Sequence, residues 1–179
     1  MTGTQLFILV ALITILAGAM FLAGWLWRAI KYPDMMTDIV DFHEKFKLEY
    51  DGGPRIMPDD LFDFRFKFMH EELAEYAEEQ ERISLYNAGP IQPIKIDQCL
   101  EMQLDALVDL VYVTLGTAYL QFGGKNFKIA WNRVQEANMA KVRCERPGDS
   151  KRGSTFDVIK PAGWTAPSHM DLIQQRHAS

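Results

Sequence analysis

The sequence predicts an all-α domain behind one N-terminal membrane helix. Apolar residues recur at helical spacing over several long stretches, and no pattern of paired strands is evident. Before these stretches, Leu6–Trp27 forms an apolar run without a single charged residue. Clusters of Gly, Pro and Asn separate the periodic stretches, as expected for helices joined by turns.

The N-terminal run has the length of a membrane span. At about 1.5 Å per residue it extends about 33 Å, against about 30 Å for the hydrocarbon core of a bilayer. Trp25 and Trp27 lie at its end, and Arg28 and Lys31 follow directly. The positive-inside bias therefore predicts a single-pass protein whose remainder faces the cytoplasm. No Lys or Arg precedes the run, which favours a retained anchor over a cleaved signal peptide, with a buried core helix as the remaining alternative.

Behind the anchor (residues 1–31), we expect an all-α core at residues 32–145 and an extended C-terminal segment at residues 146–179. The predicted core helices cover roughly residues 38–48, 60–85, 96–121 and 127–142. The third is apolar on most sides, so we expect it to be the most buried element. The C-terminal segment is rich in Gly, Pro, Ser, Lys and Arg, and is either a lid that closes on phosphates or a solvated tail.

Charge and cysteine content exclude several classes of protein. The formal net charge is −5, and no basic patch is dense enough to predict a nucleic-acid partner. Cys99 and Cys144 form no close pair in the sequence, which favours free thiols in a reducing compartment. A zinc-protease motif fails because Ala74 stands where the second histidine of His-Glu-x-x-His would be.

Two groups of carboxylates stand out within the helical pattern. Glu75 follows Glu71 by four residues and Glu72 by three, and Asp109 follows Asp105 by four, so each group shares one helix face. Like charges crowded on one face destabilise a helix unless something neutralises them. A hard cation such as Mg²⁺ prefers carboxylate oxygens. This pattern predicts metal-dependent phosphate chemistry, with a solvated charged face as the alternative.

This acidic spacing resembles that of the all-α NTP pyrophosphatase superfamily, which includes MazG-like and phosphoribosyl-ATP pyrophosphohydrolase-like proteins. Further segments resemble a phage- and bacterium-borne branch of it: residues 42–46, 104–113, 116–118, 137–142, 150–154 and 158–164. The resemblance covers roughly residues 37–169. It implies a four-helix core, a dimer or tetramer, and cleavage of a nucleoside triphosphate to monophosphate and pyrophosphate with Mg²⁺ or Mn²⁺.

The chain departs from the superfamily in its second acidic motif, which is usually Glu-x-x-Asp. Ala106 stands three residues before Asp109, and the neighbouring acids are Asp105 and, one turn earlier, Glu101. Acids four residues apart still share a face, so a metal site remains possible. Which of Glu101, Asp105 and Asp109 binds the metal stays open, with Asp109 ranked first and Asp105 second.

Three sets of site residues follow from the pattern and the resemblance together. The expected metal ligands are Glu72, Glu75, Asp105 and Asp109. The expected catalytic residues, one of which would orient or deprotonate the attacking water, are Glu71, Glu72 and Glu75. The expected substrate-binding residues are Arg65, Asn138, Lys141, Lys151 and Arg152. Glu78, Glu79 and Glu81 continue the acidic run and are expected to be solvated.

The sequence thus predicts a membrane-tethered, Mg²⁺-dependent nucleoside triphosphate pyrophosphohydrolase that acts on a cytoplasmic nucleotide pool. Two alternatives remain: a nucleotide or metal sensor without turnover, favoured by the changed second motif, and a tethered interaction bundle whose acids are only a solvated face.

Overall fold

The computed structural model describes residues 6–7, 10, 13–20, 34–48, 50, 52–90 and 92–174. The chain forms two compact units, residues 1–38 and residues 39–179. In the first unit, the described residues between 6 and 20 are helical and exposed. Much of the predicted anchor, including Trp25 and Trp27, lies outside the described residues, so the anchor stays a prediction. No single helix among the described residues is both long and apolar enough to cross a membrane.

Helices dominate the described chain, which confirms the all-α prediction. The four main helices are α1 (Met35–Lys45), α2 (Asp59–Asn87), α3 (Pro93–Phe122) and α4 (Gly124–Met139). They are followed by strand β1 (Val142–Arg143), a 3₁₀ turn (Pro147–Asp149), strand β2 (Val158–Ile159) and helix α5 (Met170–Gln174). Each predicted core helix is present, with its ends shifted by a few residues.

Helices α2 and α3 form an antiparallel hairpin. Pro93 opens α3 at a position where its missing N–H leaves no hydrogen bond unmade. Arg65, early in α2, bonds to Val113 late in α3, whereas Gln103, early in α3, lies against Tyr76. The start of α2 thus contacts the end of α3, and a later part of α2 contacts the start of α3, so the two helices run in opposite directions. This hairpin positions both groups of carboxylates.

Helix α3 is buried along one face and exposed on its other sides. Its face toward α2 buries Cys99, Ala106 and Val113. The expectation that α3 is the most buried element is confirmed, because it has seven buried residues, more than any other described helix. On its other sides, however, Leu104 is 64% exposed and Val108 54% exposed. The physical reason is that α2 covers one side only, while α4 leaves at a bend of 115° and contacts α3 over a short stretch.

The connector before α2 closes the C-terminal end of α3. Arg55 Nε donates to the carbonyl of Leu120 at 2.7 Å, and the Tyr50 hydroxyl donates to that of Phe122 at 3.0 Å. These contacts satisfy carbonyls that a helix end leaves unpaired. Gly123 then turns the chain with φ of 78°, and a Cβ there would lie 2.6 Å from the Tyr50 ring.

A small β-hairpin joins the end of the predicted core to the C-terminal segment, which corrects the expectation that no strands pair. Val142 pairs with Ile159 and Arg143 with Val158 in antiparallel register. The Cys144 N–H adds a bond to the Asp157 carbonyl at 3.1 Å. Beyond the hairpin, the Trp164 indole N–H donates to the carbonyl of Ala137 in α4 at 2.7 Å. The segment is thereby fixed to the C-terminal end of α4.

Candidate active site

One glutamate of the α2 group is buried. Glu72 is only 7% exposed, whereas its neighbours Glu71 and Glu75 on the same helix are exposed. The spacing explains this: in the antiparallel hairpin, Glu72 lies on the face of α2 that packs against α3, and the other two lie beside it.

The two groups of carboxylates act on each other. Burial is the largest cause that raises the pKa of Glu72 above its ordinary value of 4.5. The negative charges of four other carboxylates add smaller increases to this pKa, in the order Glu75, Asp109, Glu71 and Asp105. We call these five residues the acidic face. Asp105 and Asp109 are exposed, so Glu72 is the buried carboxylate of the five.

In the part of the chain that the structure describes, the acidic face lacks a neutralising side chain. Among the described residues, no Lys or Arg forms an ion pair with any of its five carboxylates. An all-oxygen anionic donor set fits Mg²⁺ or Mn²⁺ in its chemistry. As they stand, the described side chains place no three His, Cys, Asp or Glu groups in a position to hold a metal ion. The exposed carboxylates would therefore have to turn toward a bound cation.

The structure shows what occupies the altered position of the second motif. Ala106 is 2% exposed and faces α2, while Asp105 and Asp109 lie on either side of it. One turn earlier, Gln103 is buried, and its side-chain amide approaches the Gln80 side chain at 3.3 Å. The face of α3 that meets α2 thus carries a methyl group and an amide, and its carboxylates lie at the margin.

Glu79 was expected to be solvated, and this expectation is wrong. It is 6% exposed, and Arg82 Nη1 lies 2.6 Å from its Oε1. The Glu79 carboxylate and burial together raise the pKa of the Cys99 thiol, burial being the larger cause. Glu79 follows Glu72 by seven residues, a spacing that returns to the same helix face and is the signal from which its burial could have been predicted.

Arg65 lies away from the acidic face, nearer the C-terminal end of α3. Its Nη2 donates to the Val113 carbonyl at 2.6 Å and its Nε to the Thr117 hydroxyl at 3.0 Å. Burial lowers its pKa. A Cβ on Gly116 would lie 2.7 Å from Arg65 Nη2 and 3.0 Å from His43 Nε2, so glycine is what lets these side chains approach α3. In this conformation Arg65 holds α2 against α3.

His43 completes this contact and was not singled out by the sequence. It is 2% exposed, with Nδ1 2.8 Å from the Leu48 carbonyl. Burial is the main cause that lowers its pKa; the hydrogen bond to Leu48 opposes the shift, and the nearby Arg65 charge adds to it. The ring therefore favours the neutral form beside the guanidinium.

The other predicted substrate-binding residues meet at the C-terminal end of α4. Lys141, Lys151 and Arg152 line one cavity of about 550 Å³ together with Lys160 and Trp164. These five side chains are called the cationic pocket here. Asn138 adjoins it, because its Oδ1 accepts a hydrogen bond from Lys141 Nζ at 2.7 Å. Four of the five predicted substrate-binding residues are thus brought together, and Arg65 is not among them.

Comparison with known families identifies the family to which the α2–α3 hairpin belongs. The sequence model of the phosphoribosyl-ATP pyrophosphohydrolase family matches residues 39–138, which is more than half of the chain and contains the whole acidic face. The chain belongs to this family. The family is part of the MazG-like all-α NTP pyrophosphatase superfamily, which confirms the resemblance seen in the sequence. The cationic pocket, from Lys141 onward, lies beyond the matched residues. No curated protein matches the chain.

Proposed function

We propose that this protein is a divalent-metal-dependent pyrophosphohydrolase that converts a nucleoside or deoxynucleoside triphosphate and water to the monophosphate and pyrophosphate. Family membership supports a pyrophosphohydrolase-type activity. The observation that carries the proposal is the acidic face, where the charges of four carboxylates act on the buried Glu72 and no side-chain cation of the described residues opposes them.

The metal ligands we propose are Glu72, Glu75, Asp105 and Asp109, with Glu101 as an alternative on α3. When bound, Mg²⁺ or Mn²⁺ neutralises phosphoryl oxygens and acidifies water. The side chains that remain free among Glu71, Glu72 and Glu75 would orient the attacking water and accept its proton. Glu72 suits the proton-accepting role where it is not itself a metal ligand, because burial and the neighbouring carboxylates raise its pKa.

The substrate phosphates are proposed to bind the cations that follow α4. Lys141, Lys151 and Arg152 line one pocket, and Asn138 holds the Lys141 ammonium. For Arg65, the bonds to Val113 and Thr117 favour a role in positioning α2 over direct contact with the substrate.

We further propose a homo-oligomer, dimer or tetramer. Helix α3 exposes a run of large apolar side chains at helical spacing: Leu100, Leu104, Leu107, Val108 and Val111. Exposed apolar surface of this extent is unusual in a monomer and favours burial against another chain.

The apolar run Leu6–Trp27 and the cations after it support a membrane tether with the catalytic unit on the cytoplasmic side. Membrane fractionation of cells that express the chain with and without residues 1–31 tests this part. Recovery of both forms in the soluble fraction would contradict it.

A sensor without turnover is the second candidate, and the buried Ala106 favours it. An acid at this position would face α2 beside Glu72, and the methyl group in its place removes a potential ligand. Such a protein would bind nucleotide and metal and release no pyrophosphate.

The deciding experiment measures pyrophosphate release by the full chain in a mild detergent, over all common NTPs and dNTPs with Mg²⁺ and with Mn²⁺. Asp109→Asn should abolish release. Asp97→Asn, an exposed aspartate three turns earlier on α3, is the matched control and should leave it unchanged. Metal-dependent nucleotide binding without release would favour the sensor instead.

A further inference from the structure

Two lysines of the cationic pocket lie over one indole. Lys160 Nζ is 4.4 Å and Lys141 Nζ is 5.5 Å from the centroid of the Trp164 ring. The indole itself is fixed, because its N–H is bonded to the Ala137 carbonyl and its backbone N–H to the Pro161 carbonyl. Trp164 is therefore a fixed surface against which the ammonium groups of Lys141 and Lys160 rest.

The pocket carries an excess of positive charge. Its two aspartates are each paired with an arginine: Asp149 with Arg146 at 3.0 Å, and Asp157 with Arg152 at 2.8 Å. Among the described residues, no carboxylate pairs with any of its three lysines, Lys141, Lys151 and Lys160. The lysines are thus the groups available to an anion.

Arg152 is held back from such an anion by Asp157. The Asp157 carboxylate accepts bonds from Arg152, from the Ser150 hydroxyl at 2.7 Å and from the Val158 N–H at 2.8 Å. These contacts, with the Ser150 hydroxyl as the largest cause, lower the pKa of Asp157 and keep it ionised. Arg152 reaches a ligand only by leaving this pair.

We propose that the cationic pocket binds the polyphosphate chain of the substrate, with Lys160 as a phosphate-binding residue and Trp164 as the platform that keeps the Lys141 and Lys160 ammonium groups in place until the anion arrives. This rests on the proposed function and names the part of the substrate that the segment outside the family match recognises. Three lysines around a cavity of about 550 Å³ suit a compact anion of several charges. Cation–π contacts at an exposed ring are weak, so phosphate oxygens can displace them.

The test is a titration of the full chain with sodium tripolyphosphate in EDTA, followed by calorimetry and by tryptophan fluorescence. Without metal, the negatively charged acidic face does not attract tripolyphosphate, so the binding that remains reports on the cationic pocket. Lys160→Ala should weaken binding about tenfold, as expected for the loss of one charge-assisted contact. Lys160→Arg should restore most of it. Lys125→Ala, an exposed lysine in the first turn of α4 outside the pocket, is the matched control and should bind as the unmodified chain does.

Fluorescence gives an independent readout. Displacement of the ammonium groups from the indole should change the emission, and Trp164→Phe should remove that change. Equal affinity of Lys160→Ala and the unmodified chain, or an emission change that survives Trp164→Phe, would overturn the proposal.

Failure of the proposed function would look different. Tripolyphosphate binding that depends on Lys160, in a protein that cleaves no nucleotide, leaves the pocket assignment standing and removes the hydrolase. Nucleotide cleavage with unchanged KM in Lys160→Ala leaves the hydrolase and removes the pocket.

Discussion

The acidic face and the cationic pocket treat charge in opposite ways. On the acidic face, the charges of four carboxylates act on one buried glutamate without a counter-charge among the described residues. In the cationic pocket, one arginine is paired within the pocket and the three lysines rest against neutral groups or solvent. The first is costly until a cation binds, whereas the second costs little to keep and gives up only weak contacts to an anion. The acidic face would therefore be stabilised by a bound cation, whereas the cationic pocket would be stable without a bound anion.

The largest effect should come from Glu72→Gln, which keeps the shape of the side chain and removes the charge at the centre of the acidic face. We expect kcat for pyrophosphate release to fall about 10²- to 10⁴-fold, because a ligand or general base is lost. Steady-state kinetics measure this, with Glu78→Gln, exposed on the same helix, as the control. Similar rates for both variants would place the chemistry elsewhere.

Gly116→Ala should break the support of the acidic face and leave its charges intact. The added Cβ would lie 2.7 Å from Arg65 Nη2, so we expect the free energy of unfolding to fall by about 1–3 kcal/mol. Denaturant unfolding measures this. Gly89→Ala, in the turn between α2 and α3, meets no atom within 4 Å and should change stability little. Equal stability of the two variants would mean that Arg65 is free to move aside.

Lys141→Ala should show by its kinetics that the cationic pocket acts in substrate binding and the acidic face in the chemical step. Loss of one charge-assisted contact to phosphate should raise KM about 5- to 30-fold and leave kcat near its original value. Lys125→Ala again serves as control. A fall in kcat at constant KM would instead connect Lys141 to the chemical step.

The smallest effect concerns pH. Because the pKa of Glu72 is raised in the folded state, that state binds the proton more tightly than the unfolded chain does. The metal-free protein should therefore gain stability as pH falls from neutral toward the ordinary value of 4.5, and lose it again as pH rises through the folded pKa. Thermal unfolding in EDTA, compared with Glu72→Gln, isolates this contribution. A Glu72→Gln curve parallel to that of the unmodified chain would contradict it.

Much of the acidic face could be predicted from the sequence because it depends on helical period. Spacings of three and four residues place carboxylates on one face wherever the helix packs. The period alone does not decide which side is covered. Glu79 was therefore expected in solvent although α3 covers it, and Leu104 is largely exposed although it lies on the helix with the most buried residues.

The cationic pocket was harder to predict as an arrangement. Lys141 and Lys160 are far apart in sequence, and they meet only because a two-residue strand pair and the Trp164 indole fold the segment back on α4. No periodic pattern in the sequence predicts such contacts between separate elements. The close approach of Arg65 and His43 to Gly116 is similar, since it depends on the distance between elements rather than on any single stretch.

The α2–α3 hairpin and the β-hairpin each contain one buried thiol, so labelling of these thiols can report local opening of the chain. Cys99 lies between α2 and α3, and burial together with Glu79 raises its pKa. Cys144 is fully buried at the base of the hairpin, with Sγ 3.0 Å from the Arg146 carbonyl. A thiol reagent reaches either sulfur only when its own region opens. The two labelling rates therefore measure the local opening of the α2–α3 hairpin and of the β-hairpin separately, in one sample and without any substitution.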